Sequence, residues 1–334
     1  MSDTTPDKGA GLHLIIGGSG VLGRAIVKEL ASHGCRVRVL DTKPLPEECA
    51  GLAEFVSGSV TDETALQSAM EDVNVVHHLA ASMPQARLSP RKFWEINVGA
   101  TLNAFHAAVS AGAKAFVFAS TIEIYGLHYP HEFPVTEESP KRFTGIYSRN
   151  KFECEKRLAF LGEETGLRAC FLRMPMIFGP GFYHEPSMKL LFRLIRRDLP
   201  VPVLAAADAP WASVSSADAA RAFWLCAENE GISGEAFNIA APDAPPCTEL
   251  LQELIKAAGS RSKVLKVPET WTEKLVDIIE RRNIGPTPPE LVRFALVGGE
   301  YSIAKARKML GYGPCFSACR AMEEAFKSVC RINP

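Results

Sequence analysis

The stretch Leu12-His13-Leu14-Ile15-Ile16-Gly17-Gly18-Ser19-Gly20-Val21-Leu22-Gly23 decides the fold. Leu12 to Ile16 form a short, mainly apolar run that reads as a buried strand. The run leads directly into a glycine-rich turn, and from Val21 to Ser32 apolar residues recur at helical spacing. Strand, glycine turn and helix in this order form the opening unit of a dinucleotide-binding sheet. Glycine permits the tight turn, lets backbone approach a pyrophosphate closely, and lets the helix pack against the strand. The helix N-terminus adds unpaired N–H groups and a partial positive charge. Gly17, Gly20, Val21, Leu22 and Gly23 are therefore the expected phosphate cradle.

The same alternation continues outward. Arg36 to Leu40 reads as a second strand and Glu54-Phe55-Val56 as a third. Asp62 to Glu71 reads as a helix with Asp62 as its N-cap. Val73 to Leu79 is a fourth strand. Ser89 to Ala111 is a long helix with Pro90 in its first turn. Ala115 to Ala119 and Leu167 to Arg173 are the fifth and sixth strands. Near-continuously apolar strands alternating with helices predict an α/β fold, a Rossmann-type, doubly wound parallel sheet. Prolines at 175, 180, 186, 200, 202 and 210 then interrupt the pattern. Helical periodicity returns at Ala217 to Asn229, Thr248 to Ala258, Glu269 to Arg282 and Ser317 to Val329. The expected organisation is a flexible terminus (1–11), a dinucleotide-binding domain (12–174) and a smaller, mainly helical substrate-binding region (175–334), some elements of which return to the sheet.

Composition narrows the function. The chain has 334 residues, with 37 Lys and Arg against 38 Asp and Glu, a formal net charge of −1. That balance argues against a polyanion binder, so no nucleic-acid partner is expected. No run of ~18 apolar residues is present, so neither a membrane span nor a membrane partner is expected. The N-terminal residues lack a basic-then-apolar signal pattern, and the nine cysteines are scattered without a CxxC pair. Both point to a cytoplasmic protein with reduced thiols. His77-His78 closes an apolar run and reads as structural, and no metal site is expected.

Two further features carry chemistry. Asp41 ends the second strand, where a carboxylate accepts hydrogen bonds from an adenosine ribose and repels a 2′-phosphate; this favours NAD over NADP. The alternative is that Asp41 merely starts the turn before Pro44. Tyr147 and Lys151 stand four residues apart and share one helical face. A neighbouring ammonium should pull the phenol below its ordinary ~10 and make Tyr147 a usable acid/base. The fifth strand leads into Ser120-Thr121, whose hydroxyls could hold a reacting oxygen.

Taken in order, these motifs resemble the extended short-chain dehydrogenase/reductases, of the NAD-dependent epimerase/dehydratase and 3β-hydroxysteroid dehydrogenase-like group. The resemblance rests on Gly17, Gly20 and Gly23, Asp41, Gly58 to Asp62, His78 to Ala81, Asn97, Ser120 to Gly126, Tyr147 with Lys151, Leu172 to Gly181, Val214 to Asp218 and Gly234 to Ile239. It implies that Tyr147 is the acid/base and that Lys151 binds the nicotinamide ribose. It places Thr121 beside the substrate oxygen and Ser59, Val60, Leu79, Ala80, Ala81 and Pro175 beside the dinucleotide. Asn97 would organise the site or simply fill a helix interior. Glu123 resembles the base of sugar-nucleotide dehydratases, or else caps its loop.

Met176 stands where sugar-nucleotide enzymes of this group usually carry Asn, and Trp211 where they often carry a diphosphate-binding Arg. Burying a diphosphate there without a cation is costly; Arg193, Arg196 and Arg197 could compensate or could line a solvated helix face. Met176, Phe182, Tyr183 and Trp211 are the expected walls of a moderately apolar substrate pocket, unless they are core. The expected activity is NAD(P)-dependent oxidoreduction of a secondary alcohol or ketone. The alternatives are a nucleotide-sugar epimerase, 4,6-dehydratase or decarboxylase that oxidises transiently, and a non-catalytic dinucleotide-binding regulator. The resemblance also implies a homodimer paired through Ser89–Ala111 and Tyr147–Gly166.

Overall fold

The computed structural model describes residues 11–83, 86, 88–126, 132–143, 145–182, 186–203, 208–268, 271, 274, 278 and 298–332. Among them, seven strands form one sheet in the order β10-β6-β5-β4-β1-β2-β3, with every pairing parallel. These strands are β1 (Leu12–Ile16), β2 (Arg36–Asp41), β3 (Glu54–Ser57), β4 (Val73–His78), β5 (Ala115–Thr121), β6 (Arg168–Met174) and β10 (Ala236–Asn238). The chain winds outward from β1 to β3, then returns to β4 on the other side of β1. Direction therefore reverses between β1 and β4, where the C-terminal strand ends open the crevice typical of ligand sites in such sheets.

Strand alternation divides the core between two faces. Ile15, Val37, Val39, Val117 and Leu172 meet α1 (Val21–Ser32) and α7 (Ser216–Glu228) on one face. Leu14, Ile16, Phe116 and Phe118 face the other way. There they meet α2 (Glu63–Met70), α4 (Ala100–Ser110) and α5 (Ile146–Thr165). Asp62 caps α2 by accepting from the N–H groups of Thr64 and Ala65. The helix expected from Ser89 to Ala111 is interrupted: α3 (Pro90–Trp94) passes into a π turn over Glu95–Gly99 before α4 begins.

Beyond β6 the chain alternates between two places. β7 (Met176–Phe178) pairs with β9 (Ser213–Ser215), and β8 (Val201–Val203) with β11 (Val264–Lys266). The helices α6 (Pro186–Arg196), α8 (Cys247–Ala257) and α10 (Ala318–Ile332) pack with them around a second core that includes Phe178, Phe192, Trp211, Leu254 and Phe326. By contrast α7, β10 and α9 (Ala304–Leu310) join the main sheet. The helix expected over Glu269–Arg282 lies outside the described residues except for Trp271, Lys274 and Ile278, which are helical. None of the described helices is long and apolar enough to cross a membrane.

Candidate active site

The glycines between β1 and α1 are held for different reasons. Gly17 has φ +89°, and a Cβ there would sit 2.8 Å from the Ala80 nitrogen. A Cβ on Gly23 would lie 2.4 Å from the Gly18 Cα, so helix and loop touch backbone to backbone. Gly20 differs: a Cβ there would meet nothing within 4 Å. It is also the N-cap of α1, with no side-chain cap and no acidic residue in the first turn. The helix thus presents uncompensated N–H groups to open space, which is what a pyrophosphate requires. The cradle fits a dinucleotide on geometry alone.

Asp41 braces this loop. Its two carboxylate oxygens accept from the Ser19 and Lys43 N–H groups, both at 2.9 Å, while the Ser19 hydroxyl donates to the Lys43 carbonyl at 2.7 Å. The turn-forming role is therefore real, and the carboxylate stays partly exposed at the end of β2, with lone pairs available to a ribose. Across the crevice, Leu79 and Ala80 both donate to the Ile16 carbonyl at 2.9 Å, fixing the segment after β4. That segment is clamped further on. Asn97, buried in the π turn, accepts from the Ser82 N–H at 2.6 Å and donates to the Ser82 carbonyl at 3.0 Å. Its amide thus reads a backbone as another strand would. Ser59 and Thr61 pair hydroxyl to hydroxyl at 2.8 Å at the end of β3, and Val60 packs on the sheet core.

Tyr147 and Lys151 occupy successive turns at the start of α5. The Lys151 ammonium is buried and donates to the Ala119 carbonyl of β5 at 2.7 Å, lying 5.8 Å from the Tyr147 ring centroid. Burial lowers its pKa to about 8. The phenol behaves otherwise than expected. Burial raises Tyr147, and the Glu123 carboxylate adds to the rise. The Lys151 ammonium donates to the Ala119 carbonyl, and desolvation of the phenol outweighs its attraction. Thr121 ends β5, and its hydroxyl accepts from the Glu123 N–H at 3.2 Å. The β5 terminus, Glu123, Tyr147 and Lys151 therefore form one neighbourhood.

Comparison with known proteins follows this geometry. The model of the NAD dependent epimerase/dehydratase family matches residues 13–240. This chain belongs to that family. A 30% identical relative, the uncharacterized protein y4nG of Sinorhizobium fredii, aligns over 94% of this chain and 77% of its own length. The 3 beta-hydroxysteroid dehydrogenase/Delta 5-->4-isomerase of Mycobacterium tuberculosis is 25% identical over 97% of this chain and 92% of its own. The crystal structure of UDP-glucose 4-epimerase from Thermotoga maritima, with UDP-glucose, superposes with a TM-score of 0.80 at 22% identity, covering 97% of this chain and all of that one.

Within this epimerase/dehydratase frame, the expected substrate walls are apolar and well packed. Trp211 is buried in the second core, and Met176 and Phe182 pack against the same cluster. Phe182 meets Phe178 edge to face at 5.1 Å. Pro175 links β6 to β7, and Tyr183 lies outside the described residues. Arg193 and Arg196 are exposed on α6, and Arg197 is exposed just after it. Among the described residues no cluster of three or more potential metal ligands occurs. His13, His77 and His78 are buried in the sheet; His13 and His77 share a hydrogen bond at 3.0 Å, and the His78 ring meets the Thr101 hydroxyl at 2.9 Å.

A buried polar chain behind the site escaped the sequence reading. The Ser120 hydroxyl donates to Glu155, which holds Arg173 through bonds of 3.1 and 2.7 Å. Arg173 donates to the Tyr125 hydroxyl at 2.9 Å, and that hydroxyl donates to the Asn238 side chain at 2.7 Å. Glu137 accepts from the Asn238 N–H at 2.8 Å. The network ties α5, β5, β6 and β10 together beneath Thr121. Two signals were available: Arg173 interrupts an apolar strand, and Glu155 continues the Tyr147–Lys151 face by one more turn.

Proposed function

We propose that this chain interconverts a secondary alcohol and its ketone with NAD, using Tyr147 as the proton donor and acceptor. The observation that carries this reading is the Tyr147–Lys151 pair on α5, with Lys151 anchored on the Ala119 carbonyl next to Thr121. The Gly17–Gly23 cradle, Asp41 and the Asn97-clamped segment around Ala80 would hold the dinucleotide, which when bound supplies the hydride acceptor or donor. Asp41 favours NAD because a 2′-phosphate would meet its carboxylate. Thr121 would position the reacting oxygen. With its phenol raised by burial and by Glu123, Tyr147 is protonated in the ligand-free protein, the form that a ketone oxygen would need as its proton donor. Taking a proton in the reverse direction calls for nearby positive charge, and Lys151 carries it. Met176 and Phe182, partly exposed at the edge of the second core, would give the substrate an apolar wall, whereas Trp211 belongs to the core itself.

A second reading rests on Glu123. Its charge acts on Tyr147, the arrangement a transient-oxidation enzyme would use to move a second proton. The test is stoichiometric. Net NADH formed per alcohol consumed supports the first reading, and a redox-neutral product with retained NAD supports the second. Under either, Tyr147→Phe should lower turnover by ~10²–10⁴-fold. Unchanged turnover, or NAD binding with no turnover on any alcohol, ketone or nucleotide sugar, would point to a binding protein instead. We further propose a homodimer paired through α3–α4 and α5. Phe160 and Trp94 stand exposed on these helices, whereas Leu158 is buried against the sheet.

A further inference from the structure

Several surface cations of this protein face a carboxylate. Arg91 and Lys92 meet Glu95, Lys156 and Arg157 meet Glu153, and Arg36 and Arg38 meet Glu54. The outer face of the second core is built differently. On α6, Phe192 and Ile195 are buried with Met188, Leu191 and Leu194 behind them. Lys189, Arg193, Arg196 and Arg197 share the opposite, exposed stripe with Leu190, which is 49% exposed. Residues 186–203 contain these four cations and one acid, Asp198.

A second cationic segment lies against the first. β11 pairs with β8, Arg261 donates its N–H to Asp198 at 2.7 Å, and Ser260 donates to the Ile195 carbonyl at 2.6 Å. This brings Arg261 and Lys263 beside the end of α6. Residues 256–268 hold four cations and no acid. Lys266 is neutralised by Asp208 at 2.8 Å, and Lys256 lies 3.9 Å from Glu253. Arg261 sits beside the Asp198 carboxylate and acts on it, and the other five cations of the two segments make no ion pair among the described residues. Leu199, 43% exposed, follows the first segment's cations, and Leu265, 50% exposed, lies in the second; Trp271, beyond β11, is 70% exposed.

Unpaired Lys and Arg interleaved with outward Leu and Trp are what an interfacial, membrane-surface element presents: cations for anionic headgroups, apolar side chains for the acyl boundary. A nucleic acid or an acidic protein would use the charge alone. We propose that the face formed by α6 and the β8–β11 pair docks on anionic lipid bilayers. It does so peripherally, which agrees with the absence of a spanning helix among the described residues. The chain's net charge of −1 hides the patch because acidic residues elsewhere cancel it. The docking stands independently of which substrate is turned over.

The test is co-sedimentation of the full chain with vesicles of phosphatidylcholine alone, or of phosphatidylcholine with about one third phosphatidylserine. Binding is expected only to the anionic vesicles and should be lost at about 0.5 M salt, where screening shortens the field to a few ångströms. Combined Arg193→Glu, Arg196→Glu and Arg197→Glu substitution should lower the bound partition by more than about 100-fold, and Leu190→Ser with Leu265→Ser should lower it without changing its salt dependence. Unaltered melting and NAD binding would show that the variants fold. No binding to anionic vesicles, equal binding to neutral ones, or binding that survives the charge reversal would overturn the proposal. So would tighter retention by duplex DNA or polyglutamate than by the vesicles.

Discussion

Lys151 shows what a single side chain exchanges for position. Its ammonium is buried at the foot of α5, and its lowered pKa of about 8 records the desolvation. The unfolded chain holds that proton up to about 10.5, so the folded form becomes relatively more stable as pH rises from about 8 to 10.5. Lys151→Met should therefore keep or raise the melting temperature at neutral pH while turnover collapses; a melting point several degrees lower would contradict this account. Glu123 permits a complementary measurement. Because its charge raises the phenol, Glu123→Gln should move the limb of the pH–rate profile that reports Tyr147 to lower pH. A limb that stays in place would separate Glu123 from the chemistry.

At the scale of elements, the glycine loop separates folding from binding. Gly23→Ala forces a Cβ against the Gly18 backbone and should cost about 1–3 kcal/mol of stability, read from urea unfolding. Gly20→Ala meets no protein atom, so the melting temperature should barely move while NAD affinity, measured by calorimetry, falls at least about tenfold. Equal effects of the two on stability would refute the division. The loop was legible in the sequence because strand, turn and helix each left a local signature. Asp41, Tyr147 and Lys151 were legible because their spacing is itself the signal.

The π turn was not legible, since Glu95 to Gly99 have no composition that distinguishes a widened helix; only the tertiary bond from Asn97 to Ser82 shows what the widening serves. The direction of the Tyr147 shift was equally hidden, because it depends on how far the fold buries the phenol. The start and end of α6 were not legible because Pro186, Pro200 and Pro202 punctuate this stretch, although the spacing of Arg193, Arg196 and Arg197 allows a helix face; only Phe192 and Ile195 in their core show the helix.

Across the whole molecule, three buried histidines make the fold acid-sensitive. His13 is lowered to about 4, His78 to about 3 and His77 well below 6.5, with burial the largest cause for each. The unfolded chain binds protons at these rings from about pH 6.5 downward, whereas the folded sheet does not. Stability is therefore full above pH 6.5 and lost as pH falls towards 4, at up to ~1.4 kcal/mol per pH unit for each ring. Denaturant unfolding across that interval should show the slope, and combined His13→Gln and His77→Gln should flatten it. The homodimer proposal belongs to the same scale; a monomeric mass in light scattering at micromolar concentration would remove it.

The return of β10 to the edge of β6 has a bearing on how the protein is made. The first strand, its glycine loop and Tyr147 all leave the ribosome well before Asn238, yet the face of the sheet beneath α1 is shared with α7, and β6 has its outer neighbour only once Ala236 to Asn238 have been synthesised. During translation the nascent half therefore carries an unpaired strand edge and a half-covered apolar face, the features that recruit chaperones or invite aggregation. The cofactor crevice is encoded early in the chain and becomes stable late, and the buried chain from Ser120 to Asn238 closes only when the second half arrives.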